Sequence, residues 1–108
     1  MLPNNFKLFQ ATEDKFKKLK TKTGLTPNVS ARIAFFSSIE GGYKYILDDQ
    51  KPSGSLALSK TIWFGDYESL VETLLRDFYP DLDDESLVKA WASHVKHGES
   101  ELSLALIR

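Results

Sequence analysis

Residues 13–36 read EDKFKKLKTKTGLTPNVSARIAFF, and this stretch predicts two helices joined by a short link. Thr12, just before it, is a residue type that caps helix N-termini, and the two acids that follow suit the positive end of a helix dipole. The first helix is expected to run to about Thr23, because Gly24 can adopt the left-handed conformation that ends a helix.

The second helix is predicted to begin directly after this link. Thr26 can cap it, and Pro27 fits the first helical position, where its missing N–H costs nothing. The following residues up to about Glu40 are mostly apolar or small, and Gly41-Gly42 should stop the helix. We expect this helix to be the most buried element.

The flanking segments carry weaker signals. Phe6–Gln10 is short, partly alternating and aromatic, which favours a brief strand. Residues 43–63 are ambiguous: residues 51–54 (KPSG) form a turn signal, and the apolar runs on either side could pair as strands.

Two further helices are predicted in the second half of the chain. Asp66 can cap the third, and Pro80 bars its continuation. Asp83 can cap the fourth, which is expected to end at Gly98. An apolar tail follows, consisting of Leu102, Leu104, Leu106 and Ile107.

Together these elements predict a mainly α protein, a compact bundle of about four helices with a short N-terminal strand. The strand–helix–helix order of its first half is ribbon-helix-helix-like. The length of 108 residues suits a single domain covering 1–108.

Composition excludes several classes of protein. With 42% hydrophobic and 27% charged residues the chain is an ordinary globular protein, and it contains no signal-peptide pattern and no long apolar run. We therefore expect a cytoplasmic protein without a membrane partner. The absence of cysteine rules out disulfides, thiolate metal sites and a cysteine nucleophile.

The near-neutral net charge of −1 conceals an asymmetry. Residues 1–32 carry seven basic and two acidic groups, a net charge of +5, whereas the remaining 76 residues carry seven basic and thirteen acidic groups, a net charge of −6. Such polarisation is typical of a chain whose basic end meets an anionic partner.

Most of the positive charge lies on the first predicted helix. At about 100° per residue, its lysines occupy nearly all of the solvated arc. Like charges without glutamates at i,i+4 destabilise a helix slightly, which favours a polyphosphate partner over a plain solvent-facing surface, an anionic lipid or an acidic protein. The candidate nucleic-acid-binding lysines are Lys15, Lys17, Lys18, Lys20 and Lys22.

Thr26 and Asn28 are further candidates for nucleic-acid contact. Free N–H groups at a helix N-terminus bind phosphate readily, and these two side chains could hold one phosphate oxygen. Ordinary capping is the competing use of Thr26.

Other patterns predict no chemistry. His94 and His97 are spaced i,i+3, as metal ligands can be, but no third ligand motif accompanies them. The acidic run at 81–85 lacks the glycine and glutamate of a calcium loop. No phosphate-loop, nucleophile-elbow or cofactor-binding pattern is present, so we predict a non-enzyme without cofactor or metal.

The segment KTKTGLTPNVSARIAF at 20–35 resembles the hallmark of the DndE family, small proteins of bacterial DNA phosphorothioation systems. The opening Leu2-Pro3-Asn4 and the later SHVKHG at 93–98, with Leu102, are also similar to that family. The resemblance implies a compact, mainly helical homotetramer without catalytic activity, which binds double-stranded DNA and prefers nicked DNA.

The resemblance also implies partners and contacts. DndE proteins work beside a cysteine desulfurase, a sulfur-transferring enzyme and an ATPase, which replace a non-bridging phosphate oxygen with sulfur. By this resemblance the five lysines named above become the expected phosphate contacts, and Gly24 serves either subunit packing or the sharp turn.

Two other functions stay open. A ribbon-helix-helix regulator would use the strand to read base edges, although Phe9 at an outward position is a poor hydrogen-bonding reader. A structural adaptor would use the apolar second helix for assembly and show no affinity for DNA.

Overall fold

The prediction of a mainly α fold is confirmed. A computed structural model describes residues 2–107, and their side chains as far as residue 102. The elements are β1 (Asn5–Phe6), α1 (Gln10–Thr23), α2 (Pro27–Glu40), β2 (Leu58–Ser59), α3 (Lys60–Phe64), a 3-10 turn (Gly65–Tyr67), α4 (Glu68–Phe78) and α5 (Asp84–Ile107). Of the helices in this range, none is both long and apolar enough to cross a membrane.

The α1–Gly24–α2 unit has the predicted boundaries except at its start. Gly24 has φ +80°, and its N–H donates to Lys20 O at 2.8 Å, which closes the last turn of α1. The N-cap, however, is Phe9 and not Thr12. Thr12 lies inside the helix and is buried, because the first turn of α1 packs against the rest of the protein.

The N-terminal strand is shorter than predicted, and its partner comes from the ambiguous middle segment. β1 pairs antiparallel with β2, with Asn5 opposite Ser59 and Phe6 opposite Leu58. The Trp63 indole N–H donates to Phe6 O at 2.9 Å and fixes this corner. A ribbon-helix-helix strand pairs with the same strand of a second chain, whereas β1 pairs within its own chain.

The ambiguous middle segment contains a helix that the sequence did not predict. Ser59 Oγ accepts the Ile62 N–H and caps α3. Asp66 lies in the following 3-10 turn and does not cap α4, whose N-cap is Tyr67. Helix α4 ends at Phe78, as Pro80 requires.

Helix α5 is the element most at variance with the prediction. Asp83 Oδ1 accepts the Ser86 N–H at 2.8 Å, as expected of a cap. The helix nevertheless continues through Gly98 to Ile107. Leu102 packs against the core, and the side chains of Leu104, Leu106 and Ile107 lie outside the described residues.

The core lies between α2 and α5. Residues 90–95 of α5 are all buried, whereas α2 leaves Ile33 43% exposed, so α5 and not α2 has the most buried stretch. Gly98 permits this packing, since a Cβ there would overlap the backbone carbonyl of Ala34 on α2. Helix α1 packs against both α2 and α5 and leaves its lysine side to solvent.

Candidate nucleic-acid interface

Helix α1 presents its lysines to solvent because its apolar residues face inward. Phe16 and Leu19 are fully buried on one side of the helix. All five candidate lysines are exposed along the remaining arc. Lys15, Lys18 and Lys22 follow one another at steps of three and four, which places them in one row.

Lys15 and Lys17 each contact one carboxylate. Lys15 Nζ lies 3.4 Å from Oε1 of the buried Glu99 on α5, an ion pair without hydrogen-bond geometry. Lys17 Nζ donates to Oε2 of Glu13 at 3.0 Å, one turn earlier. Their side chains remain 60% and 48% exposed, so part of each ammonium still faces solvent. Their charge is nevertheless partly compensated.

Lys18, Lys20 and Lys22 differ from these two. Within residues 2–102, none of the three forms an ion pair with a carboxylate. They lie toward the carboxyl end of α1, where positive side chains also suit the helix dipole. The uncompensated positive charge of the helix is therefore concentrated in about its last two turns.

Thr26 and Asn28 lie at the same end of the protein as Lys22. Thr26 is the N-cap of α2, as predicted, but its hydroxyl makes no capping hydrogen bond. The Asn28 amide points toward α3 and donates to Ile62 O at 3.4 Å. The Thr26 hydroxyl is therefore free of a capping role, whereas the Asn28 side chain has a partner within the protein.

Glu13 has a role that its sequence position does not reveal. Its side chain is buried and accepts the Leu56 N–H and the Ser55 hydroxyl, each at 2.7 Å, together with Lys17 and Gln10. Burial alone would raise the pKa of this carboxyl, but the hydrogen bonds from Leu56, Ser55, Lys17 and Gln10 outweigh it and lower the pKa to about 2. Glu13 thus ties Ser55 and Leu56 to α1.

Arg32 does not join the basic surface, although it contributed to the charge of the N-terminal region. Its Nε donates to Trp63 O and its Nη2 to Ile62 O, both at 2.8 Å. The guanidinium therefore satisfies carbonyls at the end of the short helix α3. Sequence alone could not predict this contact, because about thirty residues separate the partners.

A buried polar cluster joins α2 and α5 to Tyr79, the residue that follows α4. Ser38 Oγ lies 2.9 Å from His94 Nδ1 and 3.1 Å from His97 Nδ1. On its other side, His94 Nε2 lies 2.6 Å from Tyr79 Oη. Burial, and to a lesser extent the charges of His97 and Lys44, lowers the pKa of His94 to about 4, so this ring is neutral at pH 7.

The hydrogen bonds of this cluster run in one direction. Tyr79 Oη accepts the Tyr45 N–H at 2.8 Å, and we assign its own proton to His94 Nε2. The neutral His94 then donates from Nδ1 to Ser38 Oγ, and Ser38 donates to His97 Nδ1. In this order Nδ1 of His97 is an acceptor, and the ring N–H of His97 is at Nε2.

The two histidines are therefore linked through the Ser38 hydroxyl. In the part of the chain that the structure describes, no group of three or more His, Asp or Glu side chains is placed to hold a metal. Their i,i+3 spacing is explained by the shared hydroxyl. Ser38 itself gave no signal in the sequence.

An apolar groove of about 460 Å³ lies on the face of the protein formed by α2, the 3-10 turn and α4. Ile33 and Leu70 on its walls are 43% and 47% exposed, and Tyr67 packs edge-on against Phe36 at 5.7 Å between ring centroids. Arg32 stands at its border. Contiguous exposed apolar residues of this kind mark interaction surfaces.

These features define a small helical protein with a lysine-rich helix and an apolar groove on its surface. A family model described as DNA sulphur modification protein DndE matches residues 5–106, and the chain belongs to the DndE family. It is thus a member of a family of DNA sulphur modification proteins.

Solved structures agree with this assignment. The crystal structure of DndE from Escherichia coli B7A, involved in DNA phosphorothioation modification, is 45% identical with a TM-score of 0.88 over 94% of this chain and 99% of that one. A crystal structure of a DndE mutant involved in DNA phosphorothioation gives 44% identity and a TM-score of 0.87 with the same coverage. Comparison with curated proteins finds no significant match.

Proposed function

We propose that this protein is the non-catalytic DNA-binding component of a bacterial DNA phosphorothioation system. It binds double-stranded DNA, preferentially nicked, through the lysines of α1. The observation that carries the proposal is the set of five exposed lysines on α1, of which Lys18, Lys20 and Lys22 have no carboxylate partner within residues 2–102. A polyphosphate supplies the missing negative charge.

The mechanism is sequence-independent neutralisation of phosphates. Lysine ammonium groups attract the DNA backbone as point charges and read no base edges. Thr26 and the free N–H groups at the start of α2 add a phosphate contact beside Lys22. A nick favours binding, because a duplex that bends easily at the break meets more lysines than a stiff one.

We further propose that the protein acts in the cytoplasm as a homotetramer with the other phosphorothioation proteins, the sulfur-transferring enzyme and the ATPase among them. The apolar groove supports assembly, since a monomer would leave it exposed to water. A tetramer would display α1 four times, which gives a broad basic contact surface although each chain is slightly acidic overall. No catalytic role is proposed, and His94, the most perturbed histidine, is buried in structural hydrogen bonds.

Fluorescence anisotropy with labelled nicked and intact duplexes of two unrelated sequences, at several salt concentrations, tests the proposal. Replacing Lys18, Lys20 and Lys22 by alanine should weaken binding at least about tenfold at low salt, and the log–log salt slope should fall by about 0.9 for each phosphate that is no longer neutralised. The matched control replaces Lys7, Lys51 and Lys89, three lysines that line a different surface near β1. It removes the same charge and should change the affinity by about twofold or less.

The other outcomes assign the alternatives. Strong preference for one sequence would favour a repressor, although the pairing of β1 with β2 already disfavours a ribbon-helix-helix dimer. An oligomer that binds no DNA at low salt would favour the structural adaptor, which the apolar groove also fits. If the α1 variant and its control lost DNA affinity equally, α1 would be excluded as the binding surface.

A further inference from the structure

A second cationic site lies away from the solvent-facing row of α1. A cleft of about 410 Å³ opens between segment 43–50 and α5, next to Phe9 at the beginning of α1. The polar residues that line it include Lys44, Lys96, His97, Ser93, Ser100, Asp48 and Gln50. None of these residues was a predicted DNA contact.

Lys44 and Lys96 are held beside the cleft by aromatic rings. Lys44 Nζ lies 5.2 Å from the centroid of Phe78 and donates to Phe78 O at 3.3 Å, and Lys96 Nζ lies 5.5 Å from the centroid of Phe9. Neither ammonium forms an ion pair with a carboxylate of residues 2–102. A ring contact restrains the lysine stem and leaves donors of each ammonium for a ligand.

His97 adds an oriented donor. The Tyr43 ring stacks on its imidazole at 4.5 Å with an interplanar angle of 16°, and Ser38 occupies its Nδ1. With the Ser38 hydroxyl assigned as the donor to Nδ1, the ring N–H is at Nε2, on the opposite edge. The Tyr43 stack and the Ser38 contact therefore hold the ring in one orientation before any ligand arrives.

Asp48 is the acidic residue among those that line the cleft, and its carboxylate is engaged locally. Its Oδ1 accepts the Gln50 N–H at 3.0 Å, which closes the turn of segment 48–50. The lining residues of the cleft thus include two lysines and one carboxylate. The cleft lined by Lys60, Glu72 and Arg76 differs, because Arg76 there pairs with Glu72 at 3.2 Å.

We propose that the cleft between segment 43–50 and α5 binds a phosphomonoester, either free phosphate or the 5′-phosphate at a strand end or nick. A terminal phosphate has three free oxygens and up to two negative charges, which match the lysines, the His97 N–H and the two serine hydroxyls. A duplex phosphodiester carries one charge and continues on both sides, so it suits the open surface of α1 better. The strand-end form of the proposal rests on the proposed DNA binding and offers a second reason, besides flexibility, for a preference for nicks.

The test compares three duplexes of identical sequence by anisotropy: intact, nicked with a 5′-phosphate, and nicked with a 5′-hydroxyl. The 5′-phosphate nick should bind about fivefold to tenfold more tightly than the 5′-hydroxyl nick. A Lys44→Ala/Lys96→Ala variant should lose this ratio and keep its affinity for the intact duplex. The control Lys7→Ala/Lys51→Ala removes two charges elsewhere and should keep the ratio.

Titration with inorganic phosphate, followed by the NMR resonances of the His97 ring, separates the two sources. Shifts that saturate in the unaltered chain and vanish in the Lys44→Ala/Lys96→Ala variant support the site even where the two nicks bind equally, and then indicate free phosphate. Equal binding of the two nicks together with no His97 response overturns the proposal. Failure to bind any duplex would overturn the DNA-binding function alone, because the phosphate titration uses no DNA.

Discussion

At the scale of single residues, Glu13 connects two parts of the chain that lie about forty positions apart. Its carboxylate is buried and accepts hydrogen bonds from Leu56, Ser55 and Lys17. An ionised carboxylate with several short hydrogen bonds stabilises the fold, whereas the same group left without donors would destabilise it strongly. The sequence predicted Glu13 only as an acid that suits the helix dipole, because a partner so far along the chain leaves no local pattern.

Glu13→Gln should destabilise the protein by about 2 kcal/mol at pH 7, since it removes the charge that these donors solvate. The pKa of Glu13 is lowered to about 2 from an ordinary value of 4.5, so its contribution is complete above pH 4.5 and is lost as the pH falls toward 2. Urea unfolding at pH 7, 4.5 and 3 should therefore show the difference between the two proteins shrinking with acid. The control is Asp14→Asn at the exposed neighbouring position, which should change stability by about 0.5 kcal/mol or less. A difference independent of pH would contradict the role assigned to Glu13.

At the scale of elements, two glycines show why some boundaries could be predicted and others could not. Gly24 ends α1 because its backbone adopts a positive φ, a conformation that glycine favours. This end could be predicted from the local sequence, since Thr26 and Pro27 shortly after it are typical of a new helix start. Gly98, which follows Lys96 and His97, was predicted to end α5 in the same way. The helix instead continues, and a glycine is needed at this position because α2 approaches closely. That approach depends on the packing of two helices and not on local sequence.

Gly98→Ala should destabilise the protein by about 1–3 kcal/mol, because the new Cβ would overlap the carbonyl of Ala34 and push α2 away from α5. In an exposed helix position the same substitution would stabilise by about 1 kcal/mol through helix propensity. The sign of the change in the free energy of unfolding, measured with urea and circular dichroism, therefore decides between the two. Ser100→Ala, at an exposed position of the same helix, is the control and should leave stability unchanged or slightly higher.

At the scale of the whole molecule, the sequence predicted the basic surface better than the apolar one. The lysines of α1 are exposed because Phe16 and Leu19 form the buried side of this helix. This arrangement can be read from the periodicity of a single helix, without knowledge of its neighbours. The groove could not be predicted, because Ile33 on α2 and Leu70 on α4 meet only in the folded protein. For the same reason the cluster of His94 with Ser38 and Tyr79 could not be predicted. The i,i+3 spacing of the two histidines does not show which distant residues they contact.

Leu70→Glu should reduce the mass of the proposed tetramer without unfolding the chain. If the groove is a subunit contact, the substitution buries a charge and destabilises the assembly. If Leu70 faces water, as it does in the single chain, the substitution changes the stability little. A closed tetramer of paired dimers uses at least two different interfaces per chain, so disrupting one should leave dimers, whereas a fourfold ring should fall to monomers. Light scattering after size exclusion at several concentrations distinguishes these masses. Ser69→Glu, which adds the same charge at the adjacent exposed position outside the groove, should leave the tetramer intact. An unaltered tetramer in Leu70→Glu would exclude the groove as a subunit contact, and a monomeric unaltered protein would exclude the tetramer itself.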